Sequence, residues 1–542
     1  MTTQDQARLD LQAWRQGVAS NFFEADPHLQ SLLRLHGGDD LFDDLHRFGD
    51  VCAELDPLIR RNNRDDHLPR LRRYDDIGRR VEQVEFTGDY HTIGRRLYAS
   101  GAMSALAAPG GDLRTGALTY LGGQNGESGH LCPFACTAGL IKILQASGTA
   151  PGEWLERLTD PCYDTHFHGA QFLTEIQGGS DVGANGVVAT PTGDGAYRLT
   201  GEKWFCSVAD AHLFLVTARP SDAPAGTRGL QAFAVPRHHE GAVNGFAIRR
   251  LKYKLGTRSM ASGEIDFEGA WGWPVGDFRA TVGLVLNTSR VFNALVSCGI
   301  LQRCWREAEG YSRHRKAFGQ PIGTFPAVVR KVADLRVTAY AARGLTFHLV
   351  KLSETVTTGQ ASEDTAAAWR MLVNLNKFWT SLQGTSACRM AIEVLGGNGA
   401  IEEFSVLPRL LRDSVVCEQW EGPHDVLCAQ VLRDSQRIGM HRAMFDHLEG
   451  IAGPHPRLTA ARARYETVLE RSPQEAAGLF RDVALELQPV AQALPLLAEA
   501  RQPGADPLLG VVAEHLLTTT ERGYDPLADT TLATRVATLG AR

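Results

Sequence analysis

Short strand-like segments occur in one middle stretch of this 542-residue chain, with long helical patterns after it and shorter helical patterns before it. Between residues 171 and 282, segments rich in β-branched and aromatic residues alternate with Gly, Pro and Asp clusters, which is typical of an all-β domain. Helical periodicity follows over 287–314, 326–355, 365–395 and 425–438. Strands segregated between helical blocks predict an α+β assembly rather than a doubly wound sheet.

This order predicts four domains, since 542 residues exceed what one hydrophobic core usually supports. We expect an N-terminal helical domain over 1–170, a β-domain over 171–282, a four-helix-bundle domain over 283–438 and a C-terminal helical extension over 439–542. In the first domain, apolar residues at helical spacing over 129–147 predict a buried helix. The Gly-rich segment 122–129 is interpreted as a loop. The Arg-rich stretch from Arg60 to Asp76 is interpreted as a solvated surface in preference to a phosphate-binding patch, because acidic residues interrupt it.

Composition narrows the class of protein further. A net charge of -6 argues against a protein that coats nucleic acid, although it leaves room for a local basic patch. The ten cysteines form no Cys-x-x-Cys pair, so we expect reduced thiols, mostly buried, and no metal site. The N-terminus shows no signal-peptide pattern, and no apolar run approaches the ~20 residues of a membrane span. We therefore expect a soluble cytoplasmic protein without a membrane segment.

The familiar nucleotide-binding motifs are missing from this sequence. It has neither a phosphate-binding Gly-x-x-x-x-Gly-Lys-Ser/Thr loop nor a Gly-x-Gly-x-x-Gly between a strand and a helix. From Phe172 a predicted strand runs into a turn of small residues, whose backbone N–H groups, with Thr174 and Ser180, could hold a polar ring or a phosphate. A second strand, 201–207, brings aromatic residues and Ser207. Taken alone, these segments would be read as a turn and as core aromatics.

Together with later segments, these motifs resemble the acyl-CoA dehydrogenase family over roughly residues 60–440. The matching segments occur in the family's order: TEIQGGSDV (174–182), GEKWFCS (201–207), RKAFG (315–319), LGGNG (395–399) and RD…WEG (412–422). Within that family the chain is similar to the AidB-type branch of adaptive-response flavoproteins. The fragments that carry this likeness are RYDDIGRR (73–80), HLCP (130–133) and KWFCSVADAHL (203–213), and the length and the C-terminal extension also fit.

The resemblance implies FAD as the cofactor and an acyl-CoA thioester as the substrate. The residues that match the family's FAD contacts are Thr174, Gly179, Ser180, Phe205, Ser207, Arg315, Phe318, Gly396 and Gly397. Arg315 matches an arginine that grips the FAD pyrophosphate across a subunit interface, as a planar guanidinium can, so a homotetramer is implied. Without the resemblance, Arg315 would be a surface arginine, and the two glycines would end a helix.

Glu421 matches the family's catalytic base. A desolvated carboxylate of raised pKa can remove the weakly acidic α-proton of an acyl thioester, whereas the alternative is a glutamate that merely favours a helix start. By the same resemblance, Arg290 matches a substrate-contacting arginine. Arg433 matches an arginine that would pair with the base and lower its pKa.

Two departures from the family pattern affect the inference. Pro423 stands where relatives have a hydroxyl residue and removes a backbone donor. Asn287 replaces an acid near the substrate, so the acyl chain cannot be copied from relatives. The electron acceptor is not predicted either.

Three functions follow from these observations. The first, which we favour, is an FAD-dependent acyl-CoA dehydrogenase. The second is a DNA-associated flavoprotein of alkylation defence with little dehydrogenation, although residues 441–542 carry ten Arg, no Lys and thirteen acidic residues, a net of -3 that suits DNA poorly. The third is a flavin-binding scaffold whose C-terminal helices mediate assembly.

Overall fold

The computed structural model describes residues 2–148 and 152–522. By its internal contacts the chain forms two compact units. The first takes the residues up to Asp56, Asp112–Gly126 and the residues from Asn293 onward. The second takes Pro57–Gly111 and Glu127–Phe292.

Helices make up most of the first unit and the flanks of the second. Their bounds are α1 Thr3–Val18, α2 Pro27–Leu35, α3 Phe42–Asn62, α4 Gly88–Tyr98, α5 Ala102–Ala105, α6 Gly111–Gly123, α7 Ser128–Ser147, α8 Gly152–Leu158, α9 Phe278–His314, α10 Pro326–Val356, α11 Glu363–Leu395, α12 Leu407–Gln419, α13 His424–Ile438, α14 Met440–Ala452, α15 Pro456–Leu469, α16 Pro473–Ala500 and α17 Pro507–Arg522. The helices predicted from periodicity are therefore present, and the one predicted over 287–314 starts earlier, at Phe278. The segment 122–129 was predicted as a loop, but its ends belong to α6 and α7 and only its middle is a turn.

Strands make up the middle of the second unit. Their bounds are β1 Arg70–Tyr74, β2 Arg80–Glu85, β3 Gly169–Phe172, β4 Val188–Pro191, β5 Tyr197–Ser207, β6 Leu213–Pro220, β7 Gln231–Pro236, β8 His238–His239, β9 Ala242–Val243, β10 Phe246–Leu251, β11 Ser262–Pro274, β12 Lys316–Ala317 and β13 Gln320–Pro321. The short pair β12–β13 lies in the first unit. The α+β assembly predicted from the sequence is confirmed.

The main sheet of the second unit closes on itself. Its strands run in the order β10-β11-β5-β4-β6-β3, and β7 pairs with both β6 and β11, so that β11, β5, β4, β6 and β7 form a ring. Closure removes unpaired sheet edges, and the inward side chains fill the interior with apolar groups that include Leu199, Val216, Phe233 and Phe267. The barrel is thus a rigid support for the loops at its ends.

One element inside the predicted N-terminal helical domain is a β-hairpin. β1 and β2 pair antiparallel, with Arg70 opposite Glu85 and Leu71 opposite Val84. The sequence analysis did not predict this hairpin, although its arginines lie at the surface, as expected of a solvated stretch. The physical reason is pairing: alternating charged and apolar residues expose one face of the hairpin and partly bury the other, as the buried Val84 shows.

The C-terminal extension belongs to the same compact unit as the helical bundle. The indole N–H of Trp379 on α11 donates to the carbonyl of Ala484 on α16 at 3.0 Å. Near the other end of α16, the buried Glu499 carboxylate lies 3.0 Å from His28 Nε2. His28 Nδ1 accepts from the buried Arg343 guanidinium. Buried polar groups that all have partners are costly to break, so α16 is an integral part of this unit.

Helix α9 is long and apolar enough to cross a membrane by length and composition alone. However, 89% of its most apolar 18-residue window is buried inside the protein. Burial in a core accounts for that hydropathy without a membrane. The cysteines are free thiols, all buried except Cys162, as the sequence predicted.

Candidate active site

The loop that follows β3 in the second unit carries the first predicted site residues. The backbone N–H of Trp204 on β5 donates to the carbonyl of Thr174 at 2.9 Å, which fixes the start of the loop. The loop then folds back so closely that a Cβ at Gly179 would lie 2.6 Å from Thr174 Oγ1. Glycine is required there because of this close approach, and Ser180, next to it, is exposed. Thr174, Gly179 and Ser180 therefore lie together on one polar loop.

A buried ion pair holds this loop onto the barrel. Glu175 is 3% exposed and Lys203 is 1% exposed, and Lys203 Nζ lies 2.7 Å from Glu175 Oε1. The Glu175 carboxylate also accepts the backbone N–H groups of Gly186 and Val187 at 2.6 and 3.2 Å. Lys203 donates further to the carbonyl of Leu173 at 3.2 Å. Both charges are thus desolvated and fully engaged, the condition under which a buried pair is tolerated.

The pKa values of this pair reflect the same environment. Burial lowers the pKa of Lys203 to about 8, against the attraction of the Glu175 carboxylate. Burial would raise the pKa of Glu175, but the Lys203 ammonium and the Gly186 N–H together lower it. The carboxylate is therefore ionised at neutral pH and keeps its role as an anchor of the loop.

Aromatic side chains of β5 lie next to the loop. Phe205 is 55% exposed, a high value for a phenyl ring, and the rings of Trp204 and Phe205 lie 6.4 Å apart. Lys252 Nζ lies 3.5 Å from the centre of the Trp204 ring, at cation–π distance. Ser207 Oγ lies 3.4 Å from the Ser262 hydroxyl across the β5–β11 pair. This surface offers an open aromatic face and a hydroxyl, which suit a planar polar ring.

Arg290 lies on the part of α9 that belongs to the second unit. It is 3% exposed, and its Nη1 donates to Asn287 Oδ1 at 3.4 Å. The residue at which the sequence departs from its relatives is thus a direct neighbour of the predicted substrate arginine. An acid at position 287 would add a charge to this contact, which Asn287 does not.

In the first unit, Glu421 occupies a tight turn between α12 and α13. Its φ is 56°, a left-handed conformation that is costly for a residue with a side chain, and its side chain is half-buried. Lys377 on α11 is fully buried and donates to the carbonyls of Glu418 and Gly422, both at 2.9 Å. One ammonium group therefore forms hydrogen bonds to the backbone on both sides of Glu421. The predicted base is held on a strained turn that surrounding contacts maintain.

Arg315 and Phe318 belong to the small hairpin of β12 and β13. Its two turn residues, Phe318 and Gly319, both have positive φ, 50° and 81°, as a type I′ turn requires. Phe318 is 97% exposed and Arg315 is also exposed. An exposed phenyl ring beside an exposed guanidinium is the composition of an interaction surface.

The Gly-Gly turn after α11 is open to solvent. Gly396 has φ of 62°, and added Cβ atoms at Gly396 and Gly397 would meet nothing within 4 Å. By contrast, a Cβ at Gly399 would lie 2.7 Å from the carbonyl oxygen of Ile392. Gly399 is thus required by packing, whereas Gly397 leaves its backbone accessible to a bound molecule.

Arg433 projects from α13, and its Nε lies 3.3 Å from Asp434 Oδ1. Asp434 also accepts from Arg370 at 2.7 Å. The Arg433 side chain is about half exposed. Pairing of Arg433 with Glu421 stays a prediction, as do the FAD and substrate roles assigned by resemblance.

The sequence analysis did not single out Lys203, Lys377 or Glu175. Glu175 and Lys203 each lie inside one of the matched motifs, so a glutamate and a lysine at these two positions were the available signal. Lys377 had none, because it lies in an ordinary helical pattern more than forty residues before the turn it holds.

Comparison with known proteins defines the class to which this fold and these loops belong. The chain matches the acyl-CoA dehydrogenase middle domain over residues 170–270 and the acyl-CoA dehydrogenase C-terminal domain over 278–436. It matches the N-terminal domain of the adaptive response protein AidB over 15–165. The protein belongs to the acyl-CoA dehydrogenase family of FAD-dependent oxidoreductases.

Comparison with individual relatives indicates to which branch of this family the chain is similar. The chain is 31% identical to AidB of Escherichia coli (strain K12) over 442 residues, 77% of this chain and 78% of that protein. It is 31% identical to acyl-CoA dehydrogenase family member 11 of Caenorhabditis elegans, over 72% of this chain and 66% of that protein. The crystal structure of Caenorhabditis elegans ACDH-11 in complex with C11-CoA superimposes with a TM-score of 0.80 at 26% identity, covering 92% of this chain and 90% of that one. The apo form of Bd2924 shares the fold, with a TM-score of 0.82 at 24% identity over 89% and 98% of the two chains. The likeness to the AidB-type branch is therefore confirmed.

Proposed function

We propose that this protein binds FAD and dehydrogenates an acyl-CoA thioester at the α,β positions, with Glu421 as the base. The observation that carries the proposal is the Glu421 turn: a half-buried carboxylate on a left-handed backbone, gripped on both sides by buried Lys377. Strain of this kind persists where the surrounding structure imposes it, and it is concentrated at functional sites.

Residues of the second unit have the hydrogen-bonding and aromatic groups needed to bind part of the FAD molecule. The loop of Thr174, Gly179 and Ser180 would hold polar edges of the cofactor, and Phe205 would cover a face of its ring. When bound, FAD supplies the acceptor for the hydride that leaves the substrate β-carbon. The chain's own contribution is to take the α-proton onto the Glu421 carboxylate and to keep both partners aligned.

A second part of the proposal concerns the association of several copies of the chain. It rests on Arg315, Phe318, Gly396 and Gly397. We infer that the hairpin carrying the first two residues packs against another copy of the chain, where Arg315 meets the FAD pyrophosphate, in a homotetramer. The exposure of Phe318 supports this inference, because a phenyl ring left 97% in water is unfavourable. We also propose that the protein is located in the cytoplasm.

The substrate class follows from the relatives. ACDH-11 of Caenorhabditis elegans was solved with C11-CoA bound, and we propose an acyl-CoA here as well, with Arg290 at the substrate. Asn287 stands beside Arg290 where relatives have an acid. The length of the acyl chain that this protein prefers is therefore determined by measurement and not copied from relatives.

The test is anaerobic titration of the FAD-loaded protein with acyl-CoAs of increasing length, including undecanoyl-CoA, followed at the flavin absorbance. Bleaching by at least one thioester is expected, and Glu421→Gln should retain FAD but lose the bleaching. Glu470→Gln is the matched control, since Glu470 is an exposed residue at the end of α15. Unchanged bleaching in Glu421→Gln would refute the role of this residue.

The similarity to AidB also motivates the alternative function, association with DNA in alkylation defence. The two arginines of the segment 461–465, the best local candidate for a phosphate contact, are both paired with carboxylates: Arg462 with Asp446 at 2.8 Å, and Arg464 with Glu486. Paired arginines release few counterions on binding a phosphate backbone. Tight duplex binding with a steep salt dependence, together with no bleaching by any acyl-CoA, would favour this alternative.

A further inference from the structure

A side-chain contact closes the turn that carries Glu421. This turn lies between the last residue of α12, Gln419, and the first residue of α13, His424. The His424 imidazole reaches back across the turn, and its Nε2 lies 2.9 Å from Glu418 Oε2. Because Glu418 belongs to the last turn of α12, this contact joins the two helices on either side of Glu421. It differs from the contacts of Lys377, which are made to backbone carbonyls.

The imidazole is the donor in this contact. The Glu418 carboxylate also accepts from the Thr385 hydroxyl on α11. Burial would raise the pKa of Glu418, but the hydrogen bonds from His424 and Thr385 lower it below its usual value, so the carboxylate is ionised at neutral pH. An ionised carboxylate can only accept hydrogen bonds, and His424 Nε2 therefore carries the proton. A hydrogen bond to a charged group is stronger than one between neutral groups.

The contact is shielded from water. The His424 side chain is 9% exposed, and that of Glu418 is 16% exposed. The imidazole packs against the fully buried ring of Phe378 on α11, with the ring centres 4.9 Å apart. A hydrogen bond in such a low-dielectric place is electrostatically stronger than one in water. Packing and the bond to Glu418 therefore hold His424 in one orientation.

Helix α11 supports the turn at two points along its length. Lys377 and Thr385 are eight residues apart on this helix, about 12 Å along its axis. Lys377 holds the backbone of the turn, and Thr385 holds the Glu418 carboxylate to which His424 donates. The side-chain contact is thus anchored to a different part of α11 from the backbone contacts.

The link between Glu421 and His424 is short. It consists of Gly422 and Pro423, and the φ of Pro423 is −58°, within the narrow range that the proline ring allows. A displacement of His424 is therefore passed to Glu421 through few rotatable bonds. Pro423 is also the position at which the sequence departs from the family pattern. The residue that follows this departure is the one that closes the turn.

We propose that His424 is a positioning residue: its hydrogen bond to Glu418 keeps the turn in the conformation in which the Glu421 carboxylate can accept the α-proton. His424 itself takes no part in the proton transfer. This inference rests on the proposed function, with Glu421 as the base. It implies that the imidazole affects the rate of the chemical step and leaves the binding of FAD and acyl-CoA unchanged.

The first test measures the turn without any reaction, by hydrogen exchange and mass spectrometry of the FAD-loaded protein. The Trp420 N–H donates to the Val416 carbonyl at 3.1 Å, and the Val426 N–H donates to the Pro423 carbonyl at 3.0 Å. Exchange of these amides reports how often the turn opens. His424→Phe should make it about tenfold faster, as expected for the loss of one hydrogen bond to a charged group. His424→Gln, which keeps an N–H donor, should exchange at nearly the native rate. An unchanged rate in His424→Phe would overturn the proposal.

The matched control is His447→Phe. His447 on α14 is partly buried, and its Nε2 lies 2.9 Å from that of His348 on α10. This substitution also removes an imidazole hydrogen bond within the first unit, but between helices other than those that His424 joins. Exchange of the turn amides and flavin bleaching should both stay native in the control. Equal losses in His447→Phe and His424→Phe would indicate general destabilisation and refute the positioning role.

The second test is single-turnover bleaching at saturating acyl-CoA. His424→Phe should retain FAD, bind acyl-CoA with native affinity and bleach about tenfold more slowly. This loss is smaller than the roughly 100-fold effect of a carboxylate displaced by about 1 Å, because Lys377 still holds the backbone. His424→Gln should recover most of the native rate. A native rate in His424→Phe, or a weaker affinity with no change in rate, would contradict the proposal.

Glu418→Met tests whether the two residues act through each other. It removes the acceptor, keeps a side chain of similar length and should slow bleaching by about the same factor as His424→Phe. The double variant should be hardly slower than either single one, since the second substitution has no contact left to break. Multiplied losses, about 100-fold in the double variant, would show that His424 acts in another way. If no thioester bleaches even the native protein, the proposed function fails, and the exchange rates still decide whether His424 holds the turn.

Discussion

Replacing Lys377 by methionine removes the ammonium that holds the Glu421 turn while keeping a side chain of similar length. Two backbone carbonyls, those of Glu418 and Gly422, lose a donor that lies 2.9 Å from each. Lys377 is fully buried, so water does not readily replace it. Each carbonyl left unpaired costs about 1–3 kcal/mol, so the two together cost about 2–6 kcal/mol.

The left-handed backbone of Glu421 adds a second effect. Its φ of 56° is unfavourable by about 1–2 kcal/mol, and that cost is maintained by the contacts around it. Without Lys377 the turn can relax towards ordinary dihedral angles and move the carboxylate. A displacement of about 1 Å is enough to slow an aligned reaction about 100-fold, so flavin bleaching should slow by that order.

Urea unfolding of the FAD-loaded protein measures the first effect, and single-turnover bleaching by the best acyl-CoA measures the second. Lys351→Met is the matched control, because the Lys351 side chain is 45% exposed and pairs with nearby Glu354. The cost of this substitution should stay below about 1 kcal/mol. The argument for the turn fails if Lys377→Met loses the predicted stability but bleaches at the native rate. It also fails if its stability equals that of the control.

Three further outcomes follow from the described contacts. Glu175→Gln leaves a buried ammonium unpaired and should lower the free energy of unfolding by about 3–5 kcal/mol, measured by urea denaturation; a loss below 1 kcal/mol would contradict the anchoring role. The buried His130 and His166 have pKa values of about 3 and about 4, against about 6.5 in the unfolded chain. Below pH 6.5 the unfolded chain binds more protons, so stability should fall between pH 6.5 and 4 by up to about 3 kcal/mol per ring, and a flat profile in that window would refute the burial argument. Gly399→Ala forces a Cβ to 2.7 Å from a carbonyl oxygen and should lower the melting temperature, whereas Gly397→Ala, with open space around it, should leave it unchanged but weaken FAD binding; the reverse order would contradict the assignment.

Much of the fold could be predicted from local patterns. Helical periodicity is a short-range property, and it correctly indicated α7, α10, α11 and α13, since an apolar stripe every 3.6 residues identifies the face that packs. The β-domain was visible for the same reason, as strand-forming residues between turn formers repeat at short range. The family motifs added the positions of Thr174 and Glu421, which no periodicity reveals.

Other features depend on residues that are far apart in the sequence. The β1–β2 hairpin was missed because its charged residues look like solvated surface until Glu82 and Arg237 attach it to the barrel. The closure of the sheet through β7, which pairs with both β6 and β11, cannot be read from any strand alone.

The candidate functional sites also combine features that the sequence predicts with features that only the packing of distant segments determines. Sequence motifs indicated which side chains could carry chemistry, because type and spacing within a segment are enough for that. Only the tertiary structure showed that Lys377 grips the turn of Glu421, and that Thr385 and His424 bind the Glu418 carboxylate beside it. Burial and hydrogen-bond partners, which set tautomers and pKa values, arise when distant segments pack together, and no local pattern encodes them.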